Sequence, residues 1–188
     1  MRSLPKVLLA LALMSGLVLP AHALTLSGNS LFTSGLPEVV TVTYLSSEAA
    51  YTNLMFETQP NTQLLFATNT ATSGQTVSLG EIAANTELVF RLDSFFNGNQ
   101  VEQWYSGPGS RNIDGTVHAR ITFIGNDTWQ LAWEDLNFNE SGYDGDFNDM
   151  IVNIKSAVVP EPATLALVGL GVGSLGLLRR RSRKPAKA

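Results

Sequence analysis

The sequence predicts an all-β protein: one antiparallel β-sandwich, jelly-roll-like or immunoglobulin-like, with an apolar segment at each end. Three observations carry this. Short runs alternate apolar and polar residues, clusters of Gly, Asn, Asp and Ser break them up, and no stretch between the two ends sustains a 3.6-residue period. At 188 residues the chain holds one ordinary domain with appendages, which argues against a multidomain enzyme.

At the N-terminus, residues 1–23 carry Arg2 and Lys6, then the run VLLALALMSGLVL, then Pro20-Ala21-His22-Ala23. A basic start, a short apolar stretch and small residues at Ala21 and Ala23 form a secretory signal peptide, cut by signal peptidase after Ala23. The apolar run is too short to span a bilayer comfortably. The expected mature chain starts at Leu24, outside the cytoplasm.

Residues 24–159 form the domain. Strand candidates in order are Val39–Tyr44, Asn53–Glu57, Gln63–Ala67, Glu87–Asp93, Val117–Phe123, Thr128–Trp133 and Met150–Ser156. Val117, Ala119, Ile121 and Phe123 fall on one face, as do Trp129, Leu131 and Trp133, the period-two mark of half-buried strands. Gly125-Asn126-Asp127 between the last two of those faces reads as a hairpin turn. His118 then points to the opposite face, either as a partly exposed strand histidine or in a metal or catalytic role. Ser156–Val159 is the tether to the C-terminal segment.

That segment, residues 160–188, opens with Pro160-Glu161-Pro162. It continues through a largely apolar stretch at 163–178, short for ~30 Å of hydrocarbon, and ends in Arg179, Arg180 and Arg181 with further bases. Arginines just past an apolar helix stay on the cytoplasmic side. The glycine pattern at 171–176 follows no strand and has no acidic residue downstream, so it is not a dinucleotide-binding loop.

The order Pro-Glu-Pro, apolar helix, arginine cluster closely resembles the PEP-CTERM sorting signal of Gram-negative bacteria. The resemblance implies recognition by an exosortase, transient membrane insertion through residues 163–178, and cleavage near Pro160-Glu161-Pro162. Release to the cell surface or to an exopolysaccharide and biofilm matrix would follow.

Charge and composition narrow the chemistry. All 16 acids lie between Glu38 and Glu161, where the only bases are Arg91, Arg111, Arg120 and Lys155, leaving that stretch at −12. Such a surface repels phosphate backbones, so no nucleic-acid partner is expected, and it attracts divalent cations. With no cysteine, disulfides and thiolate metal sites are excluded. No nucleophile elbow, zinc-binding His pair or phosphate-cradling loop occurs, so no catalytic residues are expected.

One segment is dense in oxygen ligands. Between Trp133 and Met150 lie Glu134, Asp135, Asp144, Asp146, Asn148 and Asp149, with Asn139 between the two clusters. Hard cations take six to eight oxygens at ~2.3–2.6 Å, and D-x-D-x-N-D supplies several from alternate positions of one loop. Its start resembles an EF-hand, but Asp149 stands where that loop needs glycine and Lys155 where it needs glutamate. Two readings stay open, a strand-borne Ca²⁺ loop or a solvated acidic turn whose side chains bond their own backbone.

The W-E-D-L of 133–136 and the D-G-D-F-N-D-M-I-V of 144–152 look like the signature of a secreted bacterial family, domain of unknown function 4114. Residues 105–119, with Gly107-Pro108, Ser110-Arg111-Asn112, Asp114-Gly115 and His118, are similar to that family's other block. The spacer Asn137–Tyr143 departs from it, being asparagine-rich where the family is glycine-rich. Membership implies a β-sandwich without established enzymatic activity. Read from the residues themselves, Arg111 is placed to clamp an acid, and Asp114-Gly115 is either an ordinary hairpin turn or, with Asn112, a source of further oxygens if the block folds against the acidic loop. Trp104, Tyr105 and Tyr143 are available for sugar stacking or, for Trp104 above all, for core filling. The combined expectation is an exosortase-sorted surface or matrix protein, structural or adhesive, with a calcium-stabilised sandwich. The alternative is a carbohydrate-binding module or a carbohydrate-active enzyme.

Overall fold

Alternation in the sequence becomes strand in the structure, a computed structural model that describes residues 24–159 and 169–171. The expected signal peptide, including Ala21 and Ala23, lies outside the described residues. So do Pro160, Glu161, Pro162, Arg179, Arg180, Arg181 and most of 163–178. Contacts divide the chain into a unit ending at Val158 and one beginning at Val159. Gly169–Gly171 is helical, and no helix among the described residues is long and apolar enough to cross a membrane.

Eleven strands are described along the first unit: β1 (Leu24–Ser27), β2 (Ser30–Thr33), β3 (Glu38–Ser46), β4 (Thr52–Gln59), β5 (Gln63–Ala67), β6 (Thr76–Ile82), β7 (Glu87–Phe96), β8 (Asn99–Tyr105), β9 (Ala119–Gly125), β10 (Thr128–Trp133) and β11 (Met150–Val158). They form two antiparallel sheets. One has the order β1-β2-β7-β4-β5, with β8 paired along β7 beyond β2; the other is β6-β3-β11-β10-β9.

Both sheets supply one core. Leu31, Met55, Phe66, Phe90 and Leu92 come from the first, Val40, Val42, Leu131, Val152 and Ile154 from the second, and all are buried. Tyr44 of the second sheet meets Phe66 of the first, with ring centroids 5.7 Å apart. The expected antiparallel sandwich is therefore present. Trp104 fills the core rather than facing a ligand: it is fully buried and donates its indole N–H to the Asp135 carbonyl at 2.8 Å.

The unpredicted strands are the ones with weak alternation. β1 and β2 have four residues each, too few to show a period. In β6, Gly80 at φ +81° lies where the pairing with β3 shifts register, a bulge that breaks the pattern. β8 reads as polar because it pairs with β7 alone and buries only Trp104.

The β9–β10 hairpin forms as expected, with Asn126 at φ +52° and Asp127 at φ +53°, the mirror-image turn that matches strand twist. Trp129, Leu131 and Trp133 face the core, but Phe123 stays largely exposed at the hairpin end, 5.1 Å from Trp129. β11 runs on through Val158, so the expected tether at Ser156–Val159 is mostly strand, paired to β3.

Leu131 has no exposed surface, so Leu131→Ala leaves a cavity and should cost about 2–5 kcal/mol in urea unfolding. Ile113→Ala, at a residue 89% exposed, should change stability by under ~0.5 kcal/mol. Equal losses from the two variants would contradict the assigned core.

Candidate metal centre

The acidic segment is the connection between neighbouring strands. Trp133 pairs with Met150 across β10 and β11, which places both ends of residues 134–149 side by side. The Asp149 amide donates to the Trp133 carbonyl at 3.1 Å, and the Asp135 amide donates to Asp149 Oδ2 at 2.8 Å. Glu134 and Asp135 thus leave β10 beside Asp149.

The loop's own conformation brings in the rest. Gly145 at φ +67° and Phe147 at φ +60° alternate with Asp144, Asp146 and Asn148. A left-handed phenylalanine needs support, and the Arg120 guanidinium supplies it, 3.9 Å from the ring centroid. The Asp146 amide donates to Asp144 Oδ1 at 3.3 Å, and the Asn148 amide donates to Asp146 Oδ1 at 3.1 Å.

All six residues expected to hold a cation, Glu134, Asp135, Asp144, Asp146, Asn148 and Asp149, line one cleft of about 350 Å³. Their carboxylates fall into two triplets sharing Glu134: one with Asp144 and Asp146, the other with Asp135 and Asp149. Within each triplet the ligand oxygens lie within 4.8 Å of one another. Oxygens bound at ~2.3–2.6 Å to one cation stand no farther apart than ~5 Å, so each triplet fits a calcium-sized ion. Asn139 does not join them; its backbone and side-chain amides both turn to Asn137 Oδ1.

Electrostatics is adverse without a cation. Glu134 is 1% exposed and Asp135 2%, and among the described residues no salt bridge reaches any of the five carboxylates. Glu134 Oε1 accepts from the Leu136 amide, whereas Oε2 is buried with no hydrogen-bond partner. Such an orphaned acceptor is costly. Burial raises the Glu134 and Asp135 carboxyls above their usual range, and Asp144 and Asp146 add to it. Burial, with Asp135, Glu134 and Asp146 nearby, pushes Asp149 up to about 7.

Sequence reasoning missed three contributors. Glu48 and Tyr51 border the cleft, and Glu48 Oε2 accepts from Asn148 Nδ2 at 3.4 Å. The third contributor, Asn53, is fully buried on β4 and donates from Nδ2 to Asp135 Oδ2 at 2.7 Å. A signal for it existed: Asn53 is in phase with Met55 on the core face of β4, an unusual place for an amide.

The upstream block folds differently from expectation. His118 is not a partly exposed strand residue: it precedes β9, has no exposed surface, and stacks on Trp104 with centroids 3.6 Å apart. Its Nδ1 faces the Glu134 carbonyl at 3.0 Å and its Nε2 faces Asp114 Oδ2 at 2.9 Å. Burial pushes the Asp114 carboxyl up, but the Thr116 amide, His118 and the Phe138 amide outweigh it and hold it low. Asp114 is therefore committed to these partners and adds no oxygen to the cleft. Asn112 is likewise taken up by the Tyr105 and Thr116 backbone. The acid that Arg111 clamps is Glu87, with both carboxylate oxygens at 2.8–2.9 Å.

Fold and site together define a β-sandwich with an acidic, cation-suited cleft at one strand connection. Comparison adds that residues 158–184 match the PEP-CTERM protein-sorting motif. The motif marks an exported, exosortase-sorted protein of Gram-negative type. No curated protein matches the chain. Among solved structures, a Chromobacterium violaceum lectin in complex with alpha-methyl-fucoside is similar at 17% identity, over 72% of this chain and 100% of its own, with a TM-score of 0.39.

A pH dependence follows from Asp149. Its carboxyl moves from 3.8 to about 7 on folding, so between those values the folded state binds more protons than the unfolded chain. Stability in EDTA should therefore fall as pH rises through that window, and Glu134 and Asp135 act in the same direction. Melting in EDTA at about pH 5 and pH 8 checks this, with the lower Tm expected at the higher pH. A higher Tm at pH 8 would contradict the burial assigned to these acids.

Proposed function

We propose that the chain is a non-catalytic surface or matrix protein whose sandwich, of the domain of unknown function 4114 kind, is stabilised by Ca²⁺ in the acidic cleft. The single observation that carries the calcium reading is Glu134 Oε2, buried without a partner among carboxylates that no base pairs among the described residues. A divalent cation there offsets the repulsion and satisfies the orphaned oxygen. In this reading residues 1–23 direct export and are removed by signal peptidase. The segment 163–178 then holds the chain in the inner membrane until exosortase acts near Pro160-Glu161-Pro162. The work of the released domain is structural or adhesive, in or on exopolysaccharide.

Extracellular calcium modules bind at ~10⁻⁴ to 10⁻³ M, so millimolar calcium suffices. At 100 times Kd the ion adds about 2.7 kcal/mol, a rise of several degrees in Tm. A melting curve identical in EDTA and in excess calcium would leave the solvated acidic turn as the better reading. A glycan-binding screen and hydrolysis assays in calcium separate the adhesive role from the carbohydrate-active alternative, which predicts turnover.

Sorting has its own test. Deleting residues 160–188 should abolish exosortase processing, followed by immunoblotting of membrane and surface fractions. Normal surface display of the truncated chain would defeat the assignment.

A further inference from the structure

The acids of the cleft are arranged as two sets, not one. Glu134 belongs to both triplets, Asp135 and Asp149 to the inner one, Asp144 and Asp146 to the outer one. Their surroundings differ sharply. Asp135 is buried and Asp149 half-buried, and beside them Asn53 Oδ1 is a second buried acceptor with no hydrogen-bond partner. Asp144 and Asp146 are both exposed carboxylates of the loop, near Asn148 and Glu48.

We propose that the cleft holds two divalent cations bridged by Glu134: an inner ion among Glu134, Asp135 and Asp149, and an outer ion among Glu134, Asp144 and Asp146. This rests on the calcium reading above and extends it from one ion to two. Charge favours the pair. With Glu48, six carboxylates line the cleft; one divalent cation leaves four of their charges uncompensated, and two leave two. Asp135 is buried and bonded by Asn53, whose Oδ1 is itself a buried acceptor without a partner, so the inner ion exchanges slowly with solvent. The outer triplet opens to water, which completes its coordination and makes that ion the more readily removed.

Equilibrium dialysis of the full chain in detergent against micromolar to millimolar calcium counts the ions. The wild type should bind two per chain, and limiting EDTA should withdraw them in two phases. Asp144→Asn with Asp146→Asn should bind one ion and lose the fast phase. Asp149→Asn, an isosteric change, should lose the slow phase, and Glu134→Gln should weaken both sites about tenfold or more. Near-UV circular dichroism identifies any variant that fails to fold, and the wild-type count decides regardless. One ion per chain overturns the bridged pair while leaving the calcium reading intact. No bound ion overturns both.

Discussion

The pairing of Trp133 with Met150 is the constraint on which the rest depends. It joins β10 to β11 and forces residues 134–149 to leave and re-enter the sheet at the same point. Carboxylates separated along the chain are thereby held within a few ångströms, against their mutual repulsion. The sheet supplies the force: β11 lies centrally between β10 and β3, with Val152 and Ile154 buried beneath it. Hydrophobic burial and ladder hydrogen bonds over a whole strand outweigh the strain at its end.

A second polar cluster locks the approach to this cleft from the other side. His118, stacked on Trp104, links Asp114 to the Glu134 carbonyl, and Trp104 itself bonds the Asp135 carbonyl. The backbone that carries the two most buried acids is thus fixed by side chains from β8 and from the segment before β9. Asn53 does the same for the Asp135 carboxylate from β4. Ligands for a cation are useful only when their positions are set in advance, and these outer contacts set them.

Export and the acidic cleft belong to different parts of the chain. The motif at 158–184 is defined by residue order along the chain. The cleft acts through geometry. Its acids repel one another when no ion lies between them. On the calcium reading proposed above, the domain is therefore at its most stable outside the cell, where calcium is plentiful.

How much was legible follows from this division. Alternation exposed β3, β4 and β11, where every second residue is buried; β5, β7, β9 and β10 were expected too, although their burial does not alternate strictly. β6 and β8 were hidden by a bulge and by an exposed edge. The six acidic-loop residues were legible because they crowd one short segment. Asp114 and Asn112 could not be placed, since hydrogen-bond partners three or more residues away compete for them. The sequence by itself determined the all-β class, the sorting signal and the oxygen-rich chemistry, all of which are local in the chain. Only the tertiary structure decided that Glu134 is buried and shared between two groups of acids, that Asn53 and Glu48 join them, and that His118 is sealed in the core. Those facts depend on contacts between residues far apart in sequence, which no local pattern records.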